Sequence, residues 1–338
     1  MSSNFGNILK VTVFGESHSE YMGITIDNFP CGVKLDFDLI NRRLKERRPS
    51  QEYETSRIED DEYKIISGYF NDHTTGAPIT ILVFNKNVDS TKYEKGVIRP
   101  SHADYTNAVK FNGFNDYRGG GASSGRLTVL LVLLGALCEQ ILKGKNININ
   151  TEIDSIHGNN DASQFDNEMV LAKERNDSVG GILKTTINGL EPGVGEPFFD
   201  SLESVLSHLI FSIGGVKGVL FGDGIDFANK YGSEVKDELQ YVDEQVKFKA
   251  NHNGGINGGI SNGQPIIFKT IVKPISSIGL KQESINMAKN ENITIEVSGR
   301  HDSCIVPRVM PVINAVTAFA VLDLLMLKAS KDLWVITD

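Results

Sequence analysis

Apolar residues along this chain fall into short runs broken by glycine- and asparagine-rich stretches, with two long exceptions. Residues 8–14 (ILKVTVF) and 23–26 read as strands around a polar loop, 15–21, that carries a histidine. Residues 36–48 have helical spacing, with Leu39, Ile40 and Leu44 on one side and Arg42, Arg43, Lys45, Arg47 and Arg48 elsewhere, before Pro49 stops them. Residues 64–66 and 79–84 read as further strands, separated by a turn at 71–76. The stretch 127–142 (LTVLLVLLGALCEQIL) is apolar on nearly every face, which predicts a helix buried inside the protein. It is too short, and too soon interrupted by Glu139 and Gln140, to cross a bilayer. Residues 309–327 behave alike, opening with Pro311 near the first turn and carrying Asn314 and Asp323. Two helices that are apolar all round need cover on every side, and the strand-like stretches 181–187, 216–221, 265–272 and 293–297 can supply it as sheets packed outside. The expectation is an α/β (α+β) protein layered sheet, helix, sheet. With no repeat and no long linker, 1–338 reads as a single domain.

Composition sharpens this picture in three places. Asp plus Glu outnumber Lys plus Arg by 43 to 34, giving a formal net charge of −9. That balance argues against a general affinity for nucleic acid or an anionic membrane, so an anionic ligand needs a local basic site. Cys31, Cys138 and Cys304 are far apart, with no CxxC pair for zinc or redox work, and suit a reducing cytoplasm. The first residues lack the pattern of a signal peptide, so a cytoplasmic location is expected. Glycine supplies 33 of 338 residues and clusters at 119–125, 214–224 and 254–263, where it serves either tight turns or close approach of backbone N–H groups to a ligand.

Five stretches carry candidate chemistry. His18, in Gly15-Glu16-Ser17-His18, is either a general acid near an anion or a solvated loop histidine. His102 follows a proline-fixed turn, Arg99-Pro100-Ser101, and Asp104 either orients its imidazole or belongs to a helix cap. Residues 116–126 (DYRGGGASSGR) run straight into the first buried helix. Glycines, hydroxyls and a helix N-terminus make an anion cradle, to which Arg118 and Arg126 would add charge-assisted bonds. Gly121, Ser123 and Gly125 also satisfy G-x-S-x-G, but a nucleophile elbow needs a buried strand before it and 105–118 is polar and turn-rich. Arg300, His301 and Asp302 stand together before the second buried helix, without the spacing of a metal site. Residues 251–263 (NHNGGINGGISNG) and then Lys273 to Ser277 offer backbone donors and acceptors suited to a flat ring with polar edges, or else form a long loop. The combination favours an enzyme acting on a small phosphorylated anion over a noncatalytic binding protein.

At these motifs the sequence resembles the chorismate synthase family nearly end to end: GESHS, RRPSQ, ISGYFNDHTTGAPI, RPSHADYT, DYRGGGASSGR, GVGEPFFDSLES, VKGV with FGDG, GGINGGISNGQPI, KPISSI and GRHDSCIVPRVMP. The resemblance implies a β-α-β three-layer sandwich, helices between two mainly antiparallel sheets, assembled as a homotetramer. It implies a carbon–oxygen lyase of the shikimate pathway of aromatic amino acid biosynthesis. The reaction is loss of phosphate from 5-enolpyruvylshikimate 3-phosphate by 1,4-elimination, giving chorismate, with reduced FMN required and no net redox change. Some members reduce their flavin with a nicotinamide cofactor such as NADPH and usually carry insertions; this short chain points to an external reductant.

Carried across by motif, His18 would protonate the departing phosphate, His102 would hold a proton toward the flavin and Asp302 would relay one at flavin N5. Ala122, Ser123, Ser124, Gly214, Gly215, Gly258, Lys273, Pro274, Ile275, Ser276, Ser277 and Arg300 match flavin-contacting segments. Ser17, Arg47, Arg48 and Arg126 match the residues that would hold the substrate, and no metal is implied. The chain departs from the family in Ser19-Glu20, where glycine is usual, in Ser50, and in Tyr53 and Ala122, where cations are usual. Arg57, Arg42 or Arg43 are the candidates to compensate; otherwise a weaker grip on anions is expected.

Overall fold

The computed structural model describes residues 3–51, 54, 59–86, 90–297 and 302–335. Its longest helices are the two apolar stretches, now α3 (Thr128–Gly144) and α6 (Val306–Asp332). The helices earlier in the chain are α1 (Phe37–Arg47) and α2 (Asp104–Lys110), and between α3 and α6 lie α4 (Phe165–Glu174) and α5 (Leu202–Phe211). Leu130, Leu133, Leu134 and Leu137 of α3 and Ile313, Phe319 and Leu322 of α6 are buried, each contributing about 1.5–3 kcal/mol by leaving water. By length and hydropathy both helices could cross a membrane, yet most of α6 is buried inside the protein. They pack on each other so closely that a Cβ on Gly135 would lie 2.2 Å from the Ala315 Cα, so glycine is the residue this contact admits.

Two antiparallel sheets flank this pair. The first runs Asn4–Phe5, Lys10–Gly15, Tyr21–Asp27, Ile79–Phe84, Tyr63–Ser67 in spatial order. The alternating burial of Ile79, Ile81 and Val83 turns one face of the Ile79–Phe84 strand inward. The second runs Val216–Phe221, Ile266–Val272, Gly181–Asn188, Asn148–Ile156. Helix α3 meets the first sheet at Tyr21–Asp27, and α6 lies against Asn148–Ile156 and Gly181–Asn188 of the second. One continuous apolar cluster extends from Leu9 to Leu325.

The differences from the sequence reading have local causes. Helix α6 begins a turn earlier than 309, at Val306, because Pro307 is tolerated in a first turn. Pro311 therefore lies inside the helix, where it removes one ladder hydrogen bond. Asn148–Ile156 (NINTEIDSI) gave no apolar signal, since its buried positions include Thr151 and Ser155; the Thr151 hydroxyl is satisfied by Thr185 and Asn314, both at 2.8 Å. The 293–297 strand is half of a separate hairpin, Lys281–Asn286 with Glu291–Glu296, and joins neither large sheet.

Candidate active site

A cavity of about 1140 Å³ opens between the first sheet, the start of α3, the start of α6 and the Lys281–Glu296 hairpin. Among its walls are His18, Arg47, Arg48, Ser124, Arg126, Gly214, Asp302 and Arg308. Local structure explains how each arrives there.

The loop after Lys10–Gly15 is tied by Ser19, whose hydroxyl accepts from the Glu16 N–H (3.0 Å) and donates to the Tyr21 carbonyl (2.6 Å). Asn85 adds a bond from its Nδ2 to the Ser19 carbonyl (2.7 Å). Ser19 thus fastens the loop. Ser17 and His18 are buried, and the His18 ring meets Tyr93 edge to face at 5.3 Å.

Gly119, Gly120 and Gly121 have φ of +60°, +88° and +54°, a left-handed run open to glycine alone. The run also needs the missing side chains. A Cβ on Gly119 would come within 2.5 Å of His18 Cε1, and one on Gly120 within 3.2 Å of His102 Cε1. This turn is therefore a spacer between the two histidines. The Ser17 N–H donates to the Gly121 carbonyl (3.1 Å), binding loop to turn. Arg118 is paired with Asp116 at 2.8 Å and takes no part in the cavity wall.

His102 is held by two groups. Its Nδ1 lies 2.7 Å from Asp104 Oδ1, and Arg99 grips the same carboxylate through Nε (2.7 Å) and Nη2 (2.9 Å). Burial alone would raise the Asp104 value, but hydrogen bonds from Arg99 and His102 outweigh it and hold the carboxyl well below the usual range. Asp104 opens α2 and has no side-chain cap bond there, so orienting the imidazole is its visible work.

The basic floor gathers Arg47 and Arg48 from the end of α1, Arg126 from the turn before α3, and Arg308 from the first turns of α6. Asp61 lies among them, its side chain fully buried. Arg47 Nη2 is 3.4 Å from Asp61 Oδ1, Arg48 Nε is 3.7 Å from Oδ2, and Arg126 Nη1 donates to Oδ1. Arg126 Nε also donates to Asn85 Oδ1 (3.1 Å), joining the floor to the His18 loop. Burial lowers the Arg47 guanidinium to about 10; Asp61 opposes this, while Arg126 and Arg308 add to it. Arg308 Nη1 bonds Asp302 Oδ2 at 2.5 Å.

The matched flavin segments divide. Ser124 and Gly214 line the cavity. Lys273 Nζ and Ser276 Oγ both donate to the Ser101 carbonyl (2.8 and 2.7 Å), and Arg99 Nη1 reaches Ser277 Oγ at 3.4 Å, so 273–277 is seated on the His102 loop. Pro274 packs by Gly180, the Ile275 carbonyl accepts from Ser178, and Gly215 backs onto Ile305. Ser123 is turned to Asn107, beside Ala122, and neither lines the cavity. Gly258 belongs to the tight hairpin Ile256–Asn257 with Ile260–Ser261, where a Cβ would meet nothing within 4 Å, and it does not line the cavity. Arg300, Tyr53 and Arg57 lie outside the described residues. Of the candidates to compensate for missing cations, Arg43 is spent on Glu139 and Glu46 (both 2.7 Å) and Arg42 is exposed away from the cavity. The cation that does join the wall, Arg308, was legible only as part of the motif GRHDSCIVPRVMP. Asp61 had no signal: it is one of four acids in a row, Glu59 to Glu62, that read alike.

A family model described as chorismate synthase matches residues 9–326. Among similar proteins, a chorismate synthase of Chitinophaga pinensis is 44% identical over 98% of both chains. One of Campylobacter lari is 40% identical, covering 98% of this chain and 97% of its own. One of Methanocaldococcus jannaschii is 38% identical over 96% of both. The fold is similar to a solved structure titled "Crystal Structure of Chorismate Synthase", with TM-score 0.74, 23% identity, and coverage of 96% and 93%.

Proposed function

The chain belongs to the chorismate synthase family of lyases, and from that premise we propose that it converts 5-enolpyruvylshikimate 3-phosphate to chorismate with reduced FMN in this cavity. The observation that carries the reading is the meeting of a buried histidine, His18, with four arginines at one wall of a space large enough for more than one ligand. Arg47, Arg48, Arg126 and Arg308 would bind the phosphate and carboxylates, confining positive charge to one spot of an acidic protein. His18 would give its proton to the departing phosphate oxygen, and His102, fixed by Asp104, would keep a proton on the ring nitrogen that faces the flavin side. Asp302, its carboxylate steadied by Arg308, would relay a proton at flavin N5, accepting the one the substrate ring gives up.

The residues fit a flavin at the glycine-lined side of the cavity, where Gly120, Ser124 and Gly214 leave a surface free of bulk. Reduced FMN supplies electron density to a carbon–oxygen bond that no side chain here can activate. The β-α-β three-layer architecture, a single domain, a cytoplasmic setting, an external reductant and a homotetramer complete the proposal. Phe198 and Phe199, 86% and 93% exposed, support burial against another copy.

The test is anaerobic mixing with dithionite-reduced FMN and the enolpyruvyl substrate. Chorismate should form with reduced coenzyme and not with oxidised coenzyme; equal rates in both would sink the proposal. Replacing His18 and His102 together by alanine should lower turnover at least about 10²–10⁴-fold while FMN still binds.

A further inference from the structure

Asp61 stands where three guanidinium groups converge, two from the end of α1 and one from the turn before α3, and its side chain is sealed from solvent. Its backbone φ of +50° sets it off from the regular strand that follows, Tyr63–Ser67, and turns it back toward α1. The cations it gathers retain unused donors: Arg47 Nε, Arg48 Nε and Arg126 Nη2 are buried without a hydrogen-bond partner. All three residues line the cavity. Buried donors left without acceptors are costly, and they cluster where a ligand completes them.

We propose that Asp61 is a positioning residue for the substrate's oxyanion, holding Arg47, Arg48 and Arg126 in convergence so that their remaining donors meet a phosphate already aligned. Like charges this close drive one another apart, and a fixed counter-ion at the centre cancels that repulsion before any ligand arrives. The ordering of three long side chains is then complete in the free protein, which strengthens binding without adding a contact. Asp61, whose side chain is fully buried although it borders the cavity, acts through the three arginines. The depressed value of Arg47 is consistent with crowding by Arg126 and Arg308. The identity of the oxyanion rests on the proposed lyase reaction, but the positioning role is testable with inorganic phosphate alone.

The experiment compares the full chain with Asp61→Asn, which keeps the shape and removes the charge, and with Asp61→Ala, which leaves a hole the size of formate. Calorimetry should show phosphate binding weakened at least tenfold in both variants. Steady-state kinetics should show KM for the enolpyruvyl substrate rising more than kcat falls. Added formate should restore much of the loss in Asp61→Ala and none in Asp61→Asn. Unchanged or tighter phosphate binding in Asp61→Asn would overturn the inference, as would failure of formate to rescue. Loss of a cooperative melt in both variants that neither phosphate nor formate recovers would overturn it too, since Asp61 would then be an ordinary structural ion pair. If the parent chain binds phosphate, Asp61→Asn weakens that binding, and no chorismate is made, the lyase reading fails and the positioning role stands.

Discussion

Among the described residues two aspartates, Asp61 and Asp323, are buried, and they are buried in opposite ways. Asp323, inside α6, meets no cation; its two oxygens accept the backbone N–H groups of Asn7, Ile8 and Leu9 at 2.7, 2.7 and 2.8 Å. Asp61 meets almost nothing but cations. Backbone donors are fixed in place and fully used, so the first arrangement is closed and holds the chain together. Guanidinium groups are long, charged and carry spare donors, so the second remains open to another anion. The contrast teaches that burial of a carboxylate does not by itself mark a functional site; unused capacity in its partners does.

The largest expected effect tests the closed half. Asp323→Ala strands three backbone donors and should destabilise the protein by roughly 3–5 kcal/mol, seen in chemical denaturation, while the folded fraction binds phosphate as before. A parallel loss of phosphate affinity would erase the contrast. On the open half, Arg126→Met should raise the substrate KM about 10- to 150-fold, corresponding to roughly 1.5–3 kcal/mol for a charge-assisted contact. Its melting temperature should move only slightly.

Asp104 sharpens the comparison because it stands between the two, half-buried and paired with Arg99 and His102. Its folded pKa is depressed, so its contribution is present above about pH 4, the ordinary carboxylate value, and disappears as acid titrates it toward the lower folded value. Asp104→Asn should cost about 1–2 kcal/mol at neutral pH and flatten the acid limb of the stability curve, below about pH 5. An unchanged curve would deny the linkage. The smallest effect belongs to Arg43, whose carboxylate partners lie on the protein's flank. Arg43→Ala should cost about 0.5–1 kcal/mol and leave KM alone; a rise in KM would restore it as a compensating cation.

Legibility in the sequence followed the same physics. The apolar runs that became α3 and α6 announced themselves because burial on every face demands apolar residues at every position. Strands such as Val216–Phe221 and Ile79–Phe84 were readable from short β-branched apolar runs, although they are only partly buried. Asn148–Ile156 was hidden because its buried threonine and serine are satisfied by hydrogen bonds that only the fold creates. At the site, His18, His102 and the arginines of α1 stood out in short motifs. Asp61 and Arg308 did not, because their roles depend on which acid or cation the chain turns inward, and neighbouring residues of like type look the same. The separation of Gly258 from the cavity was equally invisible, since glycine density reports a turn without its destination.

The contact between Asp323 and Asn7 spans 316 positions. On a ribosome, the amides of residues 7–9 must wait for α6 to emerge before they find their acceptor. That stretch is thus secured late, and a nascent product interrupted before α6 would carry it unanchored, a natural handle for proteases that clear unfinished protein.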